Sequence, residues 1–311
     1  MKYLYLLLYL FCCNSLFVHS VCAQPKASIP LPTVTPDAFQ VIRQLYQYDK
    51  ALPPAVNVVS KQNLPDGTQE KIIFAGQNNT FVPAYLALPK TGTAPFPIVF
   101  LVDGITGSKD RWFQDNNWPK GIQVVKALLQ SGFAVMALDA VYHGERTAES
   151  NYSGVPNPFQ YPYTARRMFV QTAVEYRQAL DYVSTRADID STRIGMLGLS
   201  MGGVVSFILT SIDPRIKTAI AGLTPIHQLV EPQVKEQFVV FAPSTFAGSI
   251  RANSFLMFMG TRDVYYTMDE ARQLYDRIPL KQKEFMEYNT NHTPPVEYIQ
   301  LVKDWFNTRL K

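Results

Sequence analysis

The chain has 311 residues, 47% of them hydrophobic and 17% charged, with a formal net charge of +4. That suits one large α/β domain or two small ones, and no Lys/Arg block marks a nucleic-acid footprint. Glycine and proline are spread along the chain and no repeat is present, which excludes low-complexity and solenoid classes.

The first stretch reads as a targeting segment. Lys2 supplies a minimal positive region, Tyr3 to Cys13 an apolar one, and Val21-Cys22-Ala23 resembles a small-residue cleavage site before Gln24. The apolar run is broken at Asn14-Ser15, short for a membrane span. Residues 1–23 are therefore expected to be a cleaved signal peptide, leaving a secreted or periplasmic protein with no membrane contact; a retained anchor is the alternative. All three cysteines, Cys12, Cys13 and Cys22, fall inside it. The mature chain would then need no disulfide and offer no zinc–thiolate site, so no metal is expected. His143, His227 and His292 remain as candidate bases once His19 is set aside.

Residues 24–54 read as an N-terminal arm and helix, with Thr35-Pro36-Asp37 as cap, first-turn proline and first-turn acid, and the helix running to about Lys50. Residues 55–311 read as the main domain. Ala55 to Ser60, Gln69 to Ala75 and Thr80 to Leu88 are predicted strands, antiparallel at one edge. From Phe96 strands and helices alternate. The strands are Pro97 to Val102, Phe133 to Leu138, Ile194 to Leu199, Ile216 to Gly222, Ser254 to Gly260 and Lys283 to Tyr288. The helices are Lys120 to Gln130, Tyr163 to Ser184, Gly202 to Thr210, a capped helix from Thr267 to about Ile278, and Pro295 to Leu310. Continuous apolar strands between helices predict an α/β fold: a mostly parallel central sheet flanked by helices, with antiparallel N-terminal edge strands. Ala148 to Pro162 and Thr224 to Ile250 exceed what connection requires and are expected to be functional or lid-like.

Gly198-Leu199-Ser200-Met201-Gly202 is G-x-S-x-G between a predicted strand and a predicted helix. A serine in so sharp a corner has strained backbone angles, and its neighbours two away must be nearly side-chain-free. The Met201 amide then points where the hydroxyl does, at a helix N-terminus. In open parallel sheets ligands bind at the carboxyl ends of strands. Asp263 follows one such end and His292 another, giving the order serine, acid, histidine. The imidazole would take the serine proton, and the carboxylate would fix its tautomer. Asp269, in a first helical turn, and Asp139, after an earlier strand, are competing acids. His143 and His227 are competing bases. After Val102, Gly104 lets backbone approach a reacting carbonyl, and the Ile105 amide is the second expected oxyanion donor. Tyr142, Phe159, Tyr161, His227 and Phe246 could line an acyl or alcohol pocket.

The loop Asp103 to Lys109, the segment Leu138-Asp139 with His143-Gly144-Glu145-Arg146, the elbow Gly198 to Gly203, Gly260-x-x-Asp263 and His292 together resemble the α/β-hydrolases, specifically secreted dienelactone-hydrolase-like serine esterases, over about Val56 to Leu310. The resemblance implies hydrolysis of small carboxylic esters without a cofactor. It departs at Asp103, where such proteins commonly carry histidine. A carboxylate about 8 Å from a developing oxyanion would oppose it by roughly 2 kcal/mol at an effective dielectric near 20. Asp103 is therefore expected to turn away, capping amides of its own loop or pairing with Lys109, Arg111 or Arg146. A non-catalytic binding protein, and a peptidase or acyltransferase using the same residues, are the alternative functions. No feature bears on oligomeric state.

Overall fold

A computed structural model of the chain describes residues 30–50, 55–76, 80–150, 155, 157–158, 160–226 and 237–311. The expected signal peptide lies outside the described residues, as do His227 and Phe159.

Helix α1 (Pro36–Gln44) starts where its cap predicts, the Thr35 hydroxyl accepting from the Ala38 amide. It ends before the expected Lys50 for a tertiary reason. The Tyr46 ring is drawn wholly into the core, its hydroxyl donates to the Val240 carbonyl at 2.6 Å, and Arg177 donates to the Tyr46 carbonyl at 2.6 Å. Ahead of α1, Leu31 is buried, and Arg277 donates to the carbonyls of Leu31 and Pro32.

The strands β1 (Val56–Leu64), β2 (Gly67–Ala75) and β3 (Phe81–Pro89) form an antiparallel meander. Then come β4 (Phe96–Val102), α2 (Gly121–Gln130), β5 (Ala134–Leu138), α3 (Pro162–Val183), β6 (Ile189–Leu199) and α4 (Met201–Ile212). The chain continues with β7 (Ile216–Gly222), a one-turn α5 (Pro243–Phe246), β8 (Ser254–Gly260), α6 (Met268–Asp276), β9 (Lys283–Tyr288) and α7 (Tyr298–Arg309). One nine-stranded sheet results, in the order β1-β2-β3-β5-β4-β6-β7-β8-β9. The first three strands are antiparallel, β3 pairs antiparallel with β5, and every pairing from β5 to β9 is parallel. The three strands β4, β5 and β8 are buried along nearly their whole length, as helices on both faces require.

Two cores result, one on each face. The helices α1, α3, α4 and α6 cover one, and α2 with α7 cover the other. All twelve residues of α4 are buried, which explains a sequence apolar on every side. Two short 3-10 helices, Lys109–Phe113 and Gly144–Glu149, follow β4 and β5 and were not legible in the sequence. Among the described residues no helix is long and apolar enough to cross a membrane.

Candidate active site

The elbow between β6 and α4 is built by exclusion. Ser200 takes φ 55°, ψ −116°, a conformation disfavoured for a side-chain-bearing residue. A Cβ on Gly198 would lie 2.0 Å from the Gly202 carbonyl oxygen, and one on Gly202 would lie 2.1 Å from that of Val102. Both glycines are therefore needed for the corner to close. The Ser200 amide donates to the Gly222 carbonyl at 2.8 Å, tying the elbow to β7. Of the four other described side-chain-bearing residues with positive φ, Thr106, Tyr142 and Leu223 fall just after β4, β5 and β7, and Lys120 precedes α2. Backbone strain is thus concentrated at the carboxyl edge of the sheet.

The loops after β8 and β9 are joined directly. Thr261 donates to the Tyr288 carbonyl at 2.8 Å and Arg262 to that of Thr290 at 3.0 Å. Gly260 permits this approach, since a Cβ there would meet the Asn291 and Thr290 carbonyl oxygens at 2.6 and 2.7 Å. As a result His292 Nδ1 lies 2.6 Å from Asp263 Oδ2, and its Nε2 lies 2.8 Å from Ser200 Oγ. A carboxylate can only accept, so Nδ1 carries the proton and Nε2 is left to accept from the serine hydroxyl. Asp263 has a fully buried side chain and also accepts from the Tyr265 amide at 3.0 Å. The His292 ring contacts two aromatics. Trp118 stacks on it at 5.4 Å and 21°, and Tyr265 meets it edge-on at 4.5 Å.

Ser200 and His292 open into a cavity of about 590 Å³. Ile105 and Met201 line it beside Ser200, and neither amide donates a hydrogen bond among the described residues. Val155, Asn157 and Pro158, from the long connection before α3, form part of its wall, as does Pro225 from the one after β7. Among the described residues, Arg111 is the lysine- or arginine-type cation in its wall.

Asp103 turns into its own loop. Its Oδ1 accepts from the Gly104 amide at 2.6 Å and from the Trp118 indole N–H at 3.0 Å, while Oδ2 lies 3.9 Å from Arg111. Gly107 leaves room for the carboxylate, for a Cβ there would meet Oδ2 at 2.2 Å. Of the expected charged partners Lys109 and Arg146 are engaged elsewhere, Lys109 with Asp139 at 2.9 Å and Arg146 with Glu175 at 2.6 Å. Burial pushes the Asp103 carboxyl up to about 6, against the pull of the Gly104 amide and Arg111.

The competing residues are placed otherwise. Asp139 is fully buried beneath the loop and accepts from the Lys109 and Glu145 amides. Burial alone would lower the Lys109 ammonium, but Asp139 and Glu145 hold it above its ordinary value. Asp269 sits in the first turn of α6 and accepts from Gln273. His143 is buried with Nδ1 2.8 Å from the Val141 carbonyl, and burial pushes it down to about 4, so it stays neutral. Three expected pocket residues are corrected. Phe246 is fully buried between Phe39 and Tyr46, because α5 packs under α1. Tyr142 is enclosed in the core and does not line the cavity. Nor does Tyr161, which precedes α3. Sequence reasoning missed Trp118 and Tyr265 as neighbours of the histidine, since nothing local to either signals a ring contact across the sheet edge.

The alpha/beta hydrolase fold profile matches residues 97–308. The chain is 24% identical over 213 residues to the protein designated hydrolase YtaP of Bacillus subtilis (strain 168), covering 66% of this chain and 70% of that one. Acetyl xylan esterase 1 from Thermoanaerobacterium sp. JW/SL YS485 superposes with a TM-score of 0.71 at 16% identity, covering 91% of this chain and 96% of the other. A protein designated a dienelactone hydrolase from Klebsiella pneumoniae subsp. pneumoniae MGH 78578 gives 0.55 at 16% identity, covering 82% and 98%. At such identities the superpositions speak for the fold.

Proposed function

The chain belongs to the alpha/beta hydrolase fold family, and from that premise we propose that it is a serine esterase cleaving small carboxylic esters through an acyl-enzyme. The observation that carries this reading is the hydrogen-bonded line from Ser200 Oγ through His292 to Asp263, at 2.8 and 2.6 Å, opening on the cavity. Ser200 Oγ attacks the ester carbonyl carbon while His292 Nε2 takes its proton, and Asp263 stabilises the imidazolium. The carbonyl oxygen becomes an oxyanion held by the Ile105 and Met201 amides, each such donor being worth about 2.7–4 kcal/mol of barrier. The tetrahedral species collapses, the C–O bond to the alcohol breaks, and His292 returns the proton to the leaving oxygen. Water, deprotonated by His292, then attacks the acyl carbon and releases the acid and Ser200.

The inward turn of Asp103 supports catalysis over a fold that only binds, because its Oδ1 is already committed to two N–H donors. The test is hydrolysis of p-nitrophenyl acetate. Ser200→Ala and His292→Ala are each expected to lower kcat by about 10³-fold or more with an unchanged circular dichroism spectrum, and a fluorophosphonate should label Ser200. Turnover unaffected by either substitution removes the proposal. Partitioning of the acyl group to an added alcohol would instead mark an acyltransferase.

A further inference from the structure

Trp118 touches both halves of the proposed catalytic apparatus. One face of its indole lies nearly parallel to the His292 imidazole, 5.4 Å between centroids. Its Nε1–H donates to Asp103 Oδ1, the same oxygen that accepts from the Gly104 amide. The ring also presses on that loop, since a Cβ on Gly104 would stand 3.3 Å from indole Cζ2 and Nε1 and 3.3 Å from Ser200 Cβ. Asp103 is 8% exposed, so both hydrogen bonds to it are shielded from water. A charge-assisted hydrogen bond in such surroundings is strong and directional. A stack by itself resists little sliding within the plane of the rings. A hydrogen bond at the indole edge removes that freedom.

We propose that Asp103 and Trp118 form a positioning bridge that holds the Gly104–Ile105 turn and the His292 ring in one register. Asp103 ties the indole edge to the backbone just ahead of the Ile105 amide, and the indole face fixes the imidazole plane, with Tyr265 meeting the ring edge-on. Oxyanion donor and base then face one reacting atom. Neither residue exchanges a proton or a bond with substrate; both act through the geometry of others, where a displacement of about 1 Å can cost about 10²-fold in rate. The kinetic consequence rests on the esterase reading of Ser200 and His292, while the geometric content does not.

The test uses Asp103→Leu, Trp118→Leu, their double variant, Asp103→Asn and Trp118→Phe in the full chain, with two readouts. The first is proton NMR of the His292 ring, whose resonances lie in the ring current of Trp118. Asp103→Leu is expected to move them toward their positions in Trp118→Leu, although Asp103 itself does not stack on the ring. The second is kcat and KM for p-nitrophenyl acetate. Each leucine variant is expected to lose about tenfold or more in kcat with KM within about threefold, and the double variant to lose no more than the worse single one, as for residues acting in one unit. Asp103→Asn keeps an oxygen for both N–H donors and should recover kcat to within about threefold of the original. Trp118→Phe keeps a ring but not the donor, so Asp103→Asn should add nothing to it. These two variants carry the test if the leucine variants do not fold. His292 resonances unmoved by Asp103→Leu, losses that multiply in the double variant, or a rise in KM at constant kcat would each overturn the bridge. If the original protein hydrolyses no ester while His292 still responds to Asp103→Leu, the esterase reading fails and the bridge stands.

Discussion

At the scale of single residues, Asp103 shows how one side chain can be placed at a cost to stability. Its carboxyl, ordinarily at 3.8, is raised to about 6 chiefly by burial. The native state therefore binds a proton more readily than the unfolded chain, and stability falls as pH rises from about 4 through 6, with the full cost present above that. Arg111 at 3.9 Å only partly offsets it, and the neutral His143 beneath the loop adds no positive charge. Asp103→Asn removes the titration. It is expected to melt at least about 2 °C higher than the original at pH 8, with the gap closing near pH 4. Equal melting differences at both pH values would show that the carboxylate is not paying a desolvation penalty. The sequence made Asp103 conspicuous and pointed to amides of its own loop, which the Gly104 N–H supplies, or to charged partners. The indole of Trp118, fifteen positions on, took that role because the loop before α2 folds back over Gly104.

At the scale of elements, the corners carry the chemistry. Gly202→Ala would drive a methyl to 2.1 Å from the Val102 carbonyl oxygen, backbone that β4 holds in place. The expected outcome is a loss of about 1–3 kcal/mol or more, measured by urea unfolding, together with loss of any esterase activity. The 3-10 helix after β4 depends on a buried ion pair, for Lys109 and Asp139 are both wholly inaccessible and 2.9 Å apart. Lys109→Met leaves the Asp139 charge unpaired and should cost about 3–5 kcal/mol, read from the same unfolding curves. Full stability in Lys109→Met would mean that Asp139 is satisfied by the Lys109 and Glu145 amides alone. Strands and long helices were legible because apolar runs and caps announce them; β7, β8 and β9 begin and end where the sequence places them. The 3-10 helices were not, because the buried Asp139 carboxylate anchors both, accepting from the Lys109 amide thirty positions away and from the Glu145 amide of its own loop.

At the scale of the whole molecule, the N-terminal helix is part of one of the two cores. Leu31, Phe39, Ile42 and Tyr46 are all buried against it, and Phe246 of α5 stands edge-on to two of them. A chain beginning after Tyr46 is expected to lose about 3 kcal/mol or more of stability, since burying one such side chain contributes about 1.5–3 kcal/mol before ordering costs. Thermal unfolding of the two forms checks this, and coincident curves would show α1 to be an independent appendage. The cavity, too, belongs to the whole, with walls from the loop after β4, the connections before α3 and after β7, and helices α3 and α4.

By itself the sequence determined the alternation of buried strands and covering helices, the antiparallel edge, the strained serine corner and the chain order of the three polar residues. Each follows from short-range physics: side-chain periodicity, capping and the room that glycine leaves. Tertiary structure alone decided that His292 reaches both Ser200 and Asp263, that Trp118 stands over the imidazole, and that Phe246 and Tyr142 fill the core instead of the cavity. Those relations join residues tens of positions apart, and their distances depend on how the sheet twists and how its loops meet at one edge, which local pattern does not encode.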